Sequence, residues 1–130
     1  MGRRLDSSDS TFGPSSLGPA SGCSRALVNG TWVFIPGTTG FDHATRTISD
    51  DVEEQTRQTM RNLRAVLRKA DADLADVVRV RVYLADSADF ARVAPILVEQ
   101  FEGIGPANTT VECPLSDPRM KIEIEVTARR

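Results

Sequence analysis

Apolar and polar positions alternate with a period of two through DVVRVRVYLAD, residues 76–86. That period predicts a strand with Val78, Val80, Val82 and Leu84 on one face and Arg79, Arg81 and Tyr83 on the other. The same period returns in KIEIEVTA, where Ile122, Ile124 and Val126 oppose Lys121, Glu123 and Glu125. NTTVEC is strand-like as well. Between residues 50 and 70 the period lengthens to that of a helix: Val52, Thr56, Thr59, Leu63, Val66, Leu67 and Ala70 form one stripe. Asp50 with Glu53 suits a capping box, and Arg68 and Lys69 suit the negative end of the helix dipole. SADFARVAPILVEQFEG predicts a second helix, with Phe90, Val93, Leu97 and Phe101 inward, Ser87 as N-cap and a local kink at Pro95.

SRALVNGTWVFIPG holds two β-like runs around Asn29-Gly30, a dipeptide suited to a type I′ hairpin turn, with Trp32 in the hairpin core. Gly37 to Asp42 reads as a Gly-rich loop. Residues 1–20, rich in Ser, Gly and Pro, read as a flexible arm, which leaves 21–130 as the domain. The order of elements is α+β, two helices covering one face of a mixed sheet. The other face carries Arg79 and Arg81 on one strand and Glu123 and Glu125 on another. It is either a solvated face with weak cross-strand ion pairs or a polar face buried by self-association.

Composition narrows the function classes. At 130 residues the chain fits one domain, and 40% hydrophobic content suits a folded core. With 16 Lys+Arg against 18 Asp+Glu it lacks the basic surface that a phosphate backbone requires, which argues against nucleic acid. No apolar run approaches the roughly 20 residues of a membrane span. No apolar segment follows the first basic residues, so a cytoplasmic location is expected and the triplets at Asn29 and Asn108 are not glycan acceptors. Cys23 and Cys113 lack metal-ligand spacing and are expected as free, packed thiols. His43 has no partner pattern and reads as solvated. Gly37-Thr38-Thr39-Gly40 lacks the Lys of a phosphate loop.

From about Ser21 onward the chain resembles the RidA/YjgF family of reactive intermediate deaminases. The resemblance rests on SRALVNGTWVFIPGTTG, DDVEEQTRQTMRNLRAVLRKADADLADVVRVRVYLAD, DFARV, PANTTVE and KIEIEVTARR, which match in order and spacing. It implies a chorismate-mutase-like α+β fold, assembled as a homotrimer with small-molecule clefts between subunits. It also implies hydrolysis of reactive enamines and imines to a 2-oxo acid and ammonia, with no metal or organic cofactor. Glu123 then stands where a carboxylate orients or activates water. In the family pattern an Arg follows PA and grips the substrate carboxylate; here that position is Asn108, which is uncharged and shorter. Cys23 replaces an aromatic residue, Thr110 a Cys and Pro36 a Ser.

The expected site is therefore Glu123 as catalytic residue with Asn108, Thr110, Gly37, Thr38 and Cys23 around the substrate. Activity on 2-imino acids is expected to be weak or absent. Two function classes stay open: an enzyme acting on a small electrophile, and a non-catalytic small-molecule binder or regulatory trimer. Each site residue also has a structural reading. Asn108 could start its strand by bonding local backbone, Glu123 could serve as an ion-pair partner, and Cys23 could fill space.

Overall fold

Every alternating stretch of the sequence joins one six-stranded sheet in the structure, a computed structural model that describes residues 2–5 and 24–130. The elements are β1 (Arg3–Leu5), β2 (Ala26–Asn29), β3 (Trp32–Thr39), β4 (Phe41–Asp42), β5 (Thr47–Ile48), α1 (Val52–Lys69), β6 (Val77–Leu84), α2 (Phe90–Gln100), β7 (Ala107–Glu112) and β8 (Ile122–Arg129). The sheet runs β1-β2-β3-β8-β6-β7, with β4 and β5 as a separate two-stranded ribbon. β6 and β7 are parallel, as the α2 crossover between them requires; the other pairs are antiparallel. The fold is thus the expected α+β class.

α1 lies across β3 and β8 with α2 beside it, so both helices cover one face. The core forms there from Val33, Ile35, Val80, Val82, Leu84, Ile122, Ile124 and Val126 against Met60, Leu63, Val66, Leu67 and Val93. The whole predicted stripe of α1 is buried. Thr56 and Thr59 can belong to it because each hydroxyl donates to the carbonyl four residues back, at 2.7 Å.

Several local expectations shift by a residue or change face. The cap of α1 is Asp51, whose carboxylate accepts from the Glu54 amide at 3.1 Å, in place of the Asp50–Glu53 pair. The hairpin loop is Gly30–Thr31, since Asn29 pairs with Trp32. Of these two loop residues Gly30 alone has positive φ, at 60°, the pattern of a type II′ turn. In β6 an irregularity between Val77 and Arg79 advances the alternation by one, so Val77 is buried and Val78 is exposed. Gly37 to Thr39 are part of β3, with a bulge between Ile35 and Thr38, and Phe41–Asp42 form β4, so the expected Gly-rich loop is reduced to Gly40.

A 3-10 turn, Ser87–Asp89, precedes α2 and is capped by Asp86 on the Ala88 amide at 2.9 Å. Ser87 is therefore not an N-cap. Phe90, the first residue of α2, lies beyond the core at 50% exposure, whereas Val93 and Ile96 are buried. Trp32 is not in the core: it is 40% exposed on the uncovered face, stacked on Phe34 with ring centres 6.4 Å apart. The expected flexible arm falls mostly outside the described residues. Its portion Arg3–Leu5 is an edge strand on β2, which the sequence pattern did not predict.

Candidate functional site

The uncovered face of the sheet holds Glu123. In the β8 alternation it stands across from Thr39 on β3 and Tyr83 on β6, in the middle of the sheet. The bulge in β3 presents Gly37 directly to it. A Cβ added at Gly37 would lie 2.5 Å from Glu123 Cδ and 2.6 Å from Oε1, so the carboxylate rests on bare β3 backbone. Glu123 is half-buried, and its pKa is raised above the ordinary glutamate value, first by burial and then by the charge of Glu125. Burial thus outweighs any relief from the arginines of β6.

Glu125 is held differently. The Tyr83 hydroxyl donates to its Oε1 at 2.5 Å, and Arg81 Nη1 stands 3.9 Å from its Oε2. Both glutamates belong to the same face, yet one is anchored and the other is not. Among the described residues no cation or hydrogen-bond donor holds the Glu123 carboxylate. Thr38 shares a register position with Ile124 and is buried, its hydroxyl donating to the Pro36 carbonyl at 3.1 Å. Its side chain is therefore turned from Glu123, and only its backbone borders that face.

Asn108 and Thr110 occupy the sheet's edge strand. Their register partners are Val80 and Val82, which places both on the helix-covered face. The Thr110 hydroxyl donates to Asn108 Oδ1 at 3.0 Å, which fixes the amide and leaves its N–H₂ group outward. Together with Leu84, Ser87, Phe90, Val111 and Glu112 they line a groove of about 530 Å³ between β7 and the start of α2. Glu112 is anchored there because its Oε1 accepts the Ser87 amide at 2.7 Å.

The chain therefore divides the expected site residues into two groups, Gly37 with Glu123 and Asn108 with Thr110, on opposite faces of the sheet. Cys23 lies outside the described residues. Cys113 is a free, partly buried thiol. His43 is not simply solvated: Arg25 Nη2 lies 3.1 Å from its Nε2. Its pKa is lowered by burial and by the Arg25 charge, against a smaller opposing effect of Asp42, so the neutral ring accepts from the guanidinium. Among the described residues no three His, Cys, Asp or Glu side chains converge as metal ligands. Sequence reasoning missed Ser87, Phe90 and Glu112. Only Glu112 left a signal, sharing strand parity with Asn108 and Thr110.

Comparison with known proteins identifies the family of the whole chain. The family model described as endoribonuclease L-PSP matches residues 14–130. A RutC family protein of Pyrococcus horikoshii is 36% identical over 116 residues, covering 88% of this chain and 90% of that protein. The chloroplastic Reactive Intermediate Deaminase A of Arabidopsis thaliana is 35% identical over 116 residues, covering 88% of this chain and 60% of that one. Among solved structures, a Mycobacterium tuberculosis member of the YjgF/YER057c/UK114 family superposes over the full length of both chains, with a TM-score of 0.85 and 33% identity.

Proposed function

The chain belongs to the endoribonuclease L-PSP family, the RidA/YjgF proteins, and from that premise we propose that it hydrolyses a small reactive imine or enamine in clefts between the subunits of a homotrimer. The observation that carries this reading is Glu123, half-buried against the Gly37 backbone with its carboxylate held by none of the described residues and its pKa raised. A carboxylate shifted toward neutrality is suited to take a proton from water as the water attacks the C=N carbon, and to return it to the departing nitrogen. Water adds, the C–N bond breaks, and a carbonyl compound and ammonia leave. Water and a carboxylate suffice, so the reaction needs no cofactor.

Trimer assembly enters because the two half-sites lie on opposite faces of one chain. A neighbouring subunit can bring its Asn108 groove to the Glu123 face of the next. Activity on 2-imino acids is weak in this reading, since Asn108 lacks the charge-assisted, bidentate grip of an Arg on a carboxylate. Ribonuclease chemistry draws no support from a net charge of −2 or from a groove bearing Glu112. A cytoplasmic location belongs to the same reading.

The test is ammonia release from imines generated in situ. With 2-iminobutanoate from a pyridoxal-phosphate dehydratase, wild type gives little acceleration and Asn108→Arg raises it. With an accepted imine, Glu123→Gln lowers the rate by about 10²-fold or more. A rate untouched by Glu123→Gln overturns the catalytic assignment.

A further inference from the structure

The groove beside β7 has a charge character of its own. Among the described residues lining it there is no Lys or Arg; the one charged side chain is Glu112. That carboxylate cannot swing away freely, because its Oε1 accepts the Ser87 amide at the start of the 3-10 turn. Asn108 offers N–H donors, with its carbonyl already taken by Thr110. Phe90, half-exposed, and Leu84 supply apolar wall. An anion entering here meets a fixed like charge and only neutral donors, whereas a neutral or cationic group meets complementary partners. Across the assembled cleft the second carboxylate, Glu123, adds to the same bias.

We propose that the site takes imines and enamines that carry no carboxylate, neutral or cationic through a protonated nitrogen, with an alkyl or aryl substituent on the Phe90–Leu84 wall. This rests on the hydrolase reading and narrows it. For a protonated imine the reaction balances as R₂C=NH₂⁺ plus water giving R₂C=O plus NH₄⁺. The substrate's own positive charge makes its carbon electrophilic and pairs it with the acidic groove. The reaction that supplies such a substrate is the oxidation or elimination of an amine that has no α-carboxylate.

Three planar isosteres that differ in charge provide the probe: benzamidinium, benzamide and benzoate, titrated into the intact protein by calorimetry or ligand-observed NMR. Benzamidinium and benzamide are expected to bind at least about tenfold more tightly than benzoate. Glu112→Gln, which can still accept the Ser87 amide, is expected to erase most of that discrimination. Asn108→Arg is expected to invert it. In parallel, ammonia release is compared between a carboxylate-free imine, made by an amine oxidase, and 2-iminobutanoate.

Benzoate binding as tightly as benzamide, no binding of any of the three at millimolar concentration, or faster turnover of 2-iminobutanoate overturns the proposal. Discrimination against benzoate with no hydrolysis of either imine supports the charge selectivity and overturns the hydrolase reading, so the two failures are distinguishable. Should Glu112→Gln fail to fold, Phe90→Lys tests the same point: a cation added at the wall is expected to draw benzoate in.

Discussion

Gly37 and Gly40 stand three residues apart, and a methyl group at each would meet different matter. At Gly37 it would press on the flexible end of Glu123, with Cδ at 2.5 Å and Cγ at 2.8 Å. At Gly40 it would press on the α1 backbone, 2.7 Å from the Gln55 carbonyl oxygen and 2.8 Å from its Cα. A side chain can yield, and a packed helix cannot. Gly37→Ala is therefore expected to change stability by less than about 1 kcal/mol while displacing the Glu123 carboxylate and lowering hydrolysis by tenfold or so. Gly40→Ala is expected to cost about 1–3 kcal/mol, the range for overpacking. Denaturant titration beside ammonia-release assays separates the two; equal losses of stability would refute the contrast.

In the proposed mechanism Glu123 also ties activity to stability through pH. Its folded pKa is raised above the ordinary value of 4.5, chiefly by burial. A raised folded pKa means that the fold binds this proton more tightly than the unfolded chain does. The associated stability is complete below the unfolded pKa and is lost as pH rises through the folded one. At neutral pH the carboxylate therefore detracts from stability. Glu123→Gln, neutral at every pH, is expected to melt at the same temperature as wild type or higher near pH 7, with the gap narrowing below the ordinary glutamate range. The wild-type rate should itself fall in acid, through an apparent pKa above 4.5, as the base becomes protonated. A variant that melts lower at pH 7 would show that the carboxylate is structural.

At the scale of elements, one buried side chain joins three segments. Gln55 on α1 is fully buried, and its Nε2 donates to the Ser49 and Arg119 carbonyls at 2.7 and 2.8 Å. Its Oε1 accepts the Lys121 amide at 2.8 Å, at the entry to β8. Gln55→Leu would bury the same volume and strand those three backbone groups. At about 1–3 kcal/mol for each unsatisfied group, partly relieved by water, a loss of about 2–5 kcal/mol is expected. Urea unfolding measures it, and a loss under about 1 kcal/mol would mean that solvent takes over the bonds.

The sequence could not announce this clamp, because polar Gln55 breaks no helical period and its partners lie on loops elsewhere in the chain. What could be read was whatever depends on local period: the α1 stripe, the β8 alternation and hence the face that bears Glu123. What could not be read depends on a neighbour. The β6 irregularity that buries Val77 is set by pairing with β8, and the II′ turn by Asn29 pairing with Trp32. The groove escaped for the same reason: Phe90 looked like core until the 3-10 turn placed the start of α2 beside β7.

For the molecule as a whole, the two described helices lie on one face of the sheet. The other carries stacked Trp32 and Phe34, 40% and 43% exposed, with the Arg129 guanidinium 5.5 Å from the Trp32 ring. At one edge β7 bonds, among the described residues, only to β6, and Val111 stands 42% exposed. A broad, partly apolar face and an open edge together form the kind of surface that assembly hides. Different patches, a face and an edge, make a head-to-tail contact, and a head-to-tail contact must close into a ring or grow into a filament. In the proposed ring of three copies, each Asn108 groove would meet a neighbour's Glu123, which one chain cannot do alone. Sedimentation is accordingly expected to give three times the 14.2 kDa chain mass across the micromolar range, with a melting temperature that rises with protein concentration. Phe34→Lys, which puts a charge at the middle of the uncovered face, is expected to shift the mass toward one chain. It should also abolish imine hydrolysis, although Phe34 touches neither half-site. A monomeric variant that retains full activity would break the link between assembly and chemistry, and would require both half-sites to work within a single chain.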